Sequence, residues 1–189
     1  IIWDMGGTLV NTYPEVDRCL CEATFGNCDP ENLRVVTLAT RRSIAHAMDT
    51  LVGQYGANRG ALESAYEALK ERWRHQPAPV MEGALEVMER VSRVGGLNLV
   101  ATHRDRTSAQ HLLSALNLHV DDMVCAPDGI ERKPSPAMNL LLAKKHGLDP
   151  KEVLCVGDRP IDIAAARDAH MPAALLVRPG TSVTLPDDA

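Results

Sequence analysis

An α/β fold, with a parallel sheet covered by helices and an all-helical insert, is what the sequence predicts, on three observations. From about Pro79 onward, short apolar runs alternate with amphipathic stretches, the signature of parallel strands with helices between them. From Tyr13 to Pro79, strand signals are almost absent and apolar residues recur at three- and four-residue spacing. Ahead of both stands "IIWDMGGTLV", a strand that ends in a carboxylate and runs straight into a glycine turn. Residues 1–12 and 80–189 are therefore expected to form the α/β core, and residues 13–79 the helical insert.

The elements follow in chain order. "IIW" is a buried strand, and Asp4 at its tip is either a reacting group or a cap. Residues 15–24, 30–51 and 62–73 carry the helical spacing of the insert. Glycines in "GQYGANRG" interrupt it, and prolines in "HQPAPVMEG" close it. Residues 84–94 form an amphipathic helix stopped by Gly95 and Gly96, and "LNLVAT" reads as a buried strand. Residues 108–116 are the next helix and "DMVCA" a short strand. Residues 136–146 give a helix ending at Gly147, "EVLCVGD" a strand, residues 161–169 a helix, and "AALLV" the last strand. The closing "TSVTLPDDA" reads as a loose tail.

Composition excludes several classes of function. The 189 residues, 45% hydrophobic and 24% charged, suit a globular chain, and a net charge of -5 leaves no basic surplus for a nucleic-acid backbone. Cys19, Cys21, Cys28, Cys125 and Cys155 are odd in number and contain no CxxC pair, so neither a disulfide framework nor a four-thiolate zinc site is indicated. A reducing, cytoplasmic setting is expected. No apolar run approaches the roughly 18 residues of a membrane helix, so no membrane partner is expected. Position 1 is Ile rather than Met and the strand begins at once, so a few native residues are expected to precede it.

Polar groups end the strands: Asp4 after "IIW", Thr102 after "LVA", Asp158 after "VLCVG". In open parallel sheets, ligands bind beyond the carboxyl ends of the strands, so these groups are expected to converge. Any single Asp in such a place is more often a helix cap. Lys133, in a loop restrained by Pro134 and Pro136, is a point charge suited to a phosphate or a carboxylate.

Together "IIWDMGGTL", "LVAT", "KPSP" and "VGDRPID" resemble the four ordered motifs of the haloacid dehalogenase superfamily of hydrolases. The helical insert resembles the cap of its phosphoglycolate phosphatase and β-phosphoglucomutase branches. The resemblance implies a Rossmann-like parallel core, an aspartate nucleophile that becomes phosphorylated, and Mg2+. It makes Asp4 the nucleophile. It makes Asp4, the Gly6 carbonyl and Asp158 the metal ligands, with Asp162 ordering that shell. Thr102 and Lys133 would hold phosphate oxygens, with donors from the backbone around Gly6, Gly7 and Thr8. The substrate implied is a small phosphorylated metabolite.

One position departs from that pattern. Family phosphatases carry a second aspartate two residues after the nucleophile, as general acid and base, and this chain has Gly6. Acid–base assistance is worth typically ~10²–10⁴-fold, so esters with poor leaving groups should suffer most. Three readings stay open. In the first, the chain is a phosphohydrolase in which His103, Asp105 or His46 handles the proton. In the second, it is a phosphonatase-like C–P hydrolase; Lys70, the insert's only lysine, sits late in its last helix and argues against this. In the third, it is a non-catalytic sensor of a phosphorylated ligand. Dehalogenases typically place a bulky aromatic at this position, so Gly6 and the paired carboxylates of "GDRPID" fit them poorly. Specificity is expected from the insert, where Arg41 and Arg42 in "TRRSIAHAMD" would reach a substrate carboxylate or second phosphate. Residues 12–14 and 77–81 are the expected hinges of insert closure.

Overall fold

The computed structural model describes residues 1–177, so the tail at 181–189 lies outside the described residues. The chain divides into two compact units: residues 1–11 with the described residues from Pro79 onward, and Thr12–Ala78.

The first unit is built on a five-stranded sheet, β1 (Ile2–Trp3), β2 (Leu99–Thr102), β3 (Asp122–Cys125), β4 (Cys155–Gly157) and β5 (Ala173–Leu175). All neighbours pair in parallel in the order β3-β2-β1-β4-β5. The α/β fold read from the sequence is thus the fold observed. Trp3 sits opposite Val100 on one side and Val156 on the other, which makes β1 the central strand. The chain direction across the sheet reverses there, between β1 and β4, and at such a switch the loops diverge and leave a crevice. β1 and β2 are wholly buried and, up to Thr102 at the end of β2, apolar without alternation.

Helices α5 (Ala84–Arg93), α6 (Arg106–Ala115), α7 (Ala137–Lys145) and α8 (Pro160–Asp168) belong to this unit. The core beneath α7 and α8 gathers Ile2, Leu99, Val124, Met138, Leu142 and Ala166. Asn98, almost fully buried, is fully engaged: its Oδ1 accepts from Trp3 Nε1 at 3.0 Å, and its Nδ2 donates to Met88 O and Ser92 Oγ. After β1 the chain makes a tight turn in which Met5 O accepts from the backbone N–H of Leu9 and Val10, both at 2.9 Å. Gly7 has φ 96°, a left-handed conformation that favours glycine, while Gly6 is not among the glycines of positive φ. The segments leaving and re-entering the unit are stitched together: Asn11 N donates to Pro79 O at 2.8 Å, and Met81 N to Leu9 O at 2.9 Å.

The second unit holds α1 (Tyr13–Phe25), α2 (Pro30–Thr40), α3 (Ile44–Tyr55) and α4 (Arg59–Arg72). Each start has a physical cause. Pro14 stands in the first turn of α1, and Asp29, Ser43 and Asn58 cap the other three through side-chain oxygens. α1 and α3 end at Gly26 and Gly56 in the left-handed region. The single helical stretch expected over residues 30–51 is instead two helices. The chain breaks at residues 41–43 because Ser43 caps the next helix, accepting from His46 N at 2.9 Å, while Thr40 and Arg41 are bound to Asp17 on α1. Arg41 Nη2 lies 3.0 Å from Asp17 Oδ2, and its guanidinium stacks 3.7 Å from the centre of the Tyr13 ring.

Candidate active site

The carboxyl edge of the sheet gathers the polar residues of the first unit. Asp4 follows β1 directly and is held there by its backbone N–H, which donates to Val156 O at 2.8 Å. Thr102 ends β2, and its hydroxyl accepts from Arg104 N at 3.2 Å. Asp158 follows β4, and Asp162 lies in the first turn of α8, where its Oδ2 accepts from Arg159 N at 3.1 Å. Lys133 arrives from the loop before α7, on a cis Lys133–Pro134 peptide. Asp4, Asp162 and Lys133 are each at least nine-tenths buried.

Lys133 is the hub of the site. Its Nζ donates to Asp4 Oδ1 at 2.6 Å and to Asp162 Oδ1 at 2.5 Å. Burial alone would push the lysine down, but Asp162 and Asp4 outweigh it and raise its pKa. Burial would likewise raise the Asp4 carboxyl, and Lys133 together with Arg159 reverses this and holds Asp4 below the usual carboxylate range. Asp4 is therefore an ionised, desolvated carboxylate at neutral pH, the form a nucleophile requires. Removing one partner from a buried pair of this kind costs about 3–5 kcal/mol.

Asp4, Asp158 and Asp162 each offer a carboxylate oxygen, all within 4.8 Å of one another. Such a set of hard oxygen donors fits a small divalent cation. Thr8, on the turn after β1, donates its hydroxyl to Asp158 Oδ1 at 3.4 Å. The packing is tight: a Cβ at Gly157 would stand 2.3 Å from Asp162 Cβ, so only glycine lets β4 approach α8 this closely.

Two residues have roles that sequence reasoning did not give them. His103 Nε2 accepts from Lys133 N at 3.0 Å, so the ring ties the lysine loop to the end of β2. Burial first, then Lys133, Arg159 and Arg132, push its pKa down to about 4, leaving a neutral ring with that nitrogen occupied. Neither property suits the acid expected of it. Arg159 was assigned no role from the sequence, yet its Nη2 lies 3.5 Å from Asp4 Oδ1 and its Nε 3.7 Å from Asp162 Oδ2. The available signal was an arginine lying between the two carboxylates of "GDRPID".

The other expected residues have the following surroundings. Asp105 caps α6, accepting from Ser108 N at 2.8 Å, the ordinary fate of an Asp after a strand. Gly6 and Gly7 lie in the turn after Asp4, with Gly6 bridged to Val10. Arg41, Arg42 and His46 belong to the second unit. Arg41 is bound to Asp17, Arg42 is exposed, and His46 Nε2 lies 3.4 Å from Thr50 Oγ1. Lys70 is paired with Glu67 at 2.5 Å. Among the described residues, no helix is long and apolar enough to cross a membrane.

Comparison with known proteins places this geometry among relatives. Residues 1–170 match the family described as haloacid dehalogenase-like hydrolase. A phosphoglycolate phosphatase of Rhodospirillum rubrum is 29% identical over 191 residues, covering 93% of this chain and 78% of that protein. An N-acetylmuramic acid 6-phosphate phosphatase of Pseudomonas putida is 29% identical over 186 residues, covering 89% and 78%. Among solved structures, a putative β-phosphoglucomutase from Thermotoga maritima superposes with a TM-score of 0.71 at 23% identity, covering 96% of this chain and 86% of that one.

Proposed function

This chain belongs to the haloacid dehalogenase-like hydrolases, with phosphatases among its relatives, and from that premise we propose that it hydrolyses a small phosphorylated metabolite with Asp4 as nucleophile. The observation that carries the reading is the buried Asp4 carboxylate held at 2.6 Å by Lys133 inside a cluster of three carboxylates. In the first step a carboxylate oxygen of Asp4 attacks phosphorus in line, the ester oxygen leaves with its electron pair, and an aspartyl-phosphate forms. Water then attacks that phosphorus and returns Asp4 as carboxylate. Lys133 holds Asp4 ionised and offsets the charge of the approaching dianion, and Thr102 offers a hydroxyl to a phosphoryl oxygen. Donors from the turn at Gly7 and Thr8 complete the cradle.

Asp4, Asp158 and the Gly6 carbonyl would hold Mg2+, with Asp162 ordering that shell. When bound, the ion supplies Lewis-acid neutralisation of phosphoryl charge.

Gly6 leaves no side chain to protonate the departing oxygen, so acidic leaving groups are expected to turn over faster than alkyl ones. The same glycine favours a second reading, a sensor that binds a phosphorylated ligand without cleaving it. p-Nitrophenyl phosphate with Mg2+ separates the two. Turnover that disappears in Asp4→Asn supports the hydrolase, and full turnover in that variant refutes it. No turnover, combined with thermal stabilisation by phosphate esters, supports the sensor.

A further inference from the structure

Arg159 occupies a place that the proposed mechanism does not use. It is the last residue before α8, with backbone angles φ -125° and ψ 150°, and its main-chain N–H is bonded to Asp162 Oδ2. That bond fixes where its side chain begins, and the side chain passes the same carboxylate with Nε 3.7 Å from Oδ2. The guanidinium ends beside Asp4, with Nη2 3.5 Å from Oδ1. At that separation the contact with Asp4 is long for a hydrogen bond, so the guanidinium is placed near the nucleophile without being tightly bonded to it. A phosphoryl group on Asp4 would set its oxygens two bonds beyond the carboxylate oxygen, on the side where the planar fork stands.

The charges in the site argue for the same role. Three carboxylates face any incoming phosphate monoester, itself a dianion, and Lys133 divides its single charge between Asp4 and Asp162 at 2.6 and 2.5 Å. The Lys133 side chain is 3% exposed and that of Arg159 11%, so the arginine stands on the more open side. With no acid at position 6, the charge that builds on the departing oxygen is not met by a proton, and a fixed cation beside the transferring group gains in value.

We propose that Arg159 is a second cationic contact for the transferring phosphoryl group, beside Lys133, and hence a catalytic residue; this rests on the phosphatase reading above. The test uses tungstate, a tetrahedral oxyanion, as competitive ligand and p-nitrophenyl phosphate as substrate, both with Mg2+. Arg159→Gln keeps an N–H for Asp162 and removes the charge. It is expected to weaken tungstate binding at least tenfold and to lower kcat/KM by about 10²-fold, the scale of losing one preorganised donor. Arg159→Lys is expected to recover part of the tungstate affinity, a rescue that a merely structural role would not give. Tungstate affinity and kcat/KM both within twofold of wild type in Arg159→Gln overturn the inference while leaving the phosphatase reading intact. If the wild type binds tungstate without turning over any ester, and Arg159→Gln loses that binding, the anion contact stands and the hydrolase reading falls. A wild type that neither binds tungstate nor turns over overturns both. If Arg159→Gln does not fold, Arg159→Met, which keeps an unbranched stem and removes the charge, is read in its place: tungstate affinity and kcat/KM both within twofold of wild type overturn the inference, and a tenfold loss of tungstate affinity supports it.

Discussion

Adding a single methyl group at Gly157 should disable the site from below. Its Cβ would fall 2.3 Å from Asp162 Cβ, 2.5 Å from Cγ and 2.6 Å from Oδ2. Non-bonded carbons rest at about 3.5–4.0 Å, so the first turn of α8 must retreat by roughly 1 Å. The obstructing atom is no flexible tip: Asp162 Cβ belongs to the helix, and its carboxylate is tethered to Lys133 Nζ and Arg159 N. Overpacking of this kind costs about 1–3 kcal/mol. Loosening the charged hydrogen bond to Lys133 adds about 1.5–3 kcal/mol. At roughly 2–4 °C per kcal/mol for a chain of this size, Gly157→Ala is expected to lower Tm by about 10 °C. Turnover of p-nitrophenyl phosphate should fall with it, since Lys133 would no longer be held between its two carboxylates. Thermal melts by circular dichroism with parallel initial rates measure both quantities. A Tm within about 2 °C of wild type, less than one kcal/mol on that scale, would refute the close approach of β4 and α8.

Other perturbations probe different links. Gly6→Asp meets no left-handed backbone at that position and is expected to raise kcat on alkyl phosphates by about 10²-fold or more, the low end of acid–base assistance; steady-state rates on alkyl and aryl esters test this, and equal rates before and after discredit the missing acid as the defect. Folded His103, pushed down to about 4 against an ordinary 6.5, binds its proton later than the unfolded chain does. Stability from this residue is therefore complete above pH 6.5 and is lost as pH falls toward 4; screening at this partly exposed ring limits the loss to about 1–2 kcal/mol. Denaturant titrations across that window should show a flatter slope in His103→Gln, and an identical slope would contradict the assigned cause. Arg41→Met removes the ion pair to Asp17 and the stacking on Tyr13, and is expected to cost the helical unit about 1–3 kcal/mol; an unchanged unfolding midpoint would count against that pairing.

What the sequence revealed of the site was whatever depends on local order. Asp4, Thr102 and Asp158 were legible because a buried parallel strand is a short apolar run, and the first polar residue after it stands at the carboxyl edge. Lys133 was legible through the prolines around it. Arg159 was not, because nothing local distinguishes an arginine that turns toward a residue 155 positions away from one that turns to solvent. The same limit hid the pairing of Arg41: its partner Asp17 is 24 positions distant, and nothing local in the sequence announces that contact. The break between α2 and α3 was hidden for a related reason, since apolar spacing continued through residues 41–43 while a serine cap and the Asp17 contacts ended the helix.

The stitch between Leu9–Asn11 and Pro79–Met81 gives the core a closed seam of its own. Two backbone hydrogen bonds, at 2.8 and 2.9 Å, hold exit and entry side by side, so the ends of whatever is spliced there need only be neighbours. Nature and the engineer are thereby offered a cassette port, through which segments of very different size can be traded while Asp4, seven positions before Asn11, keeps its seat.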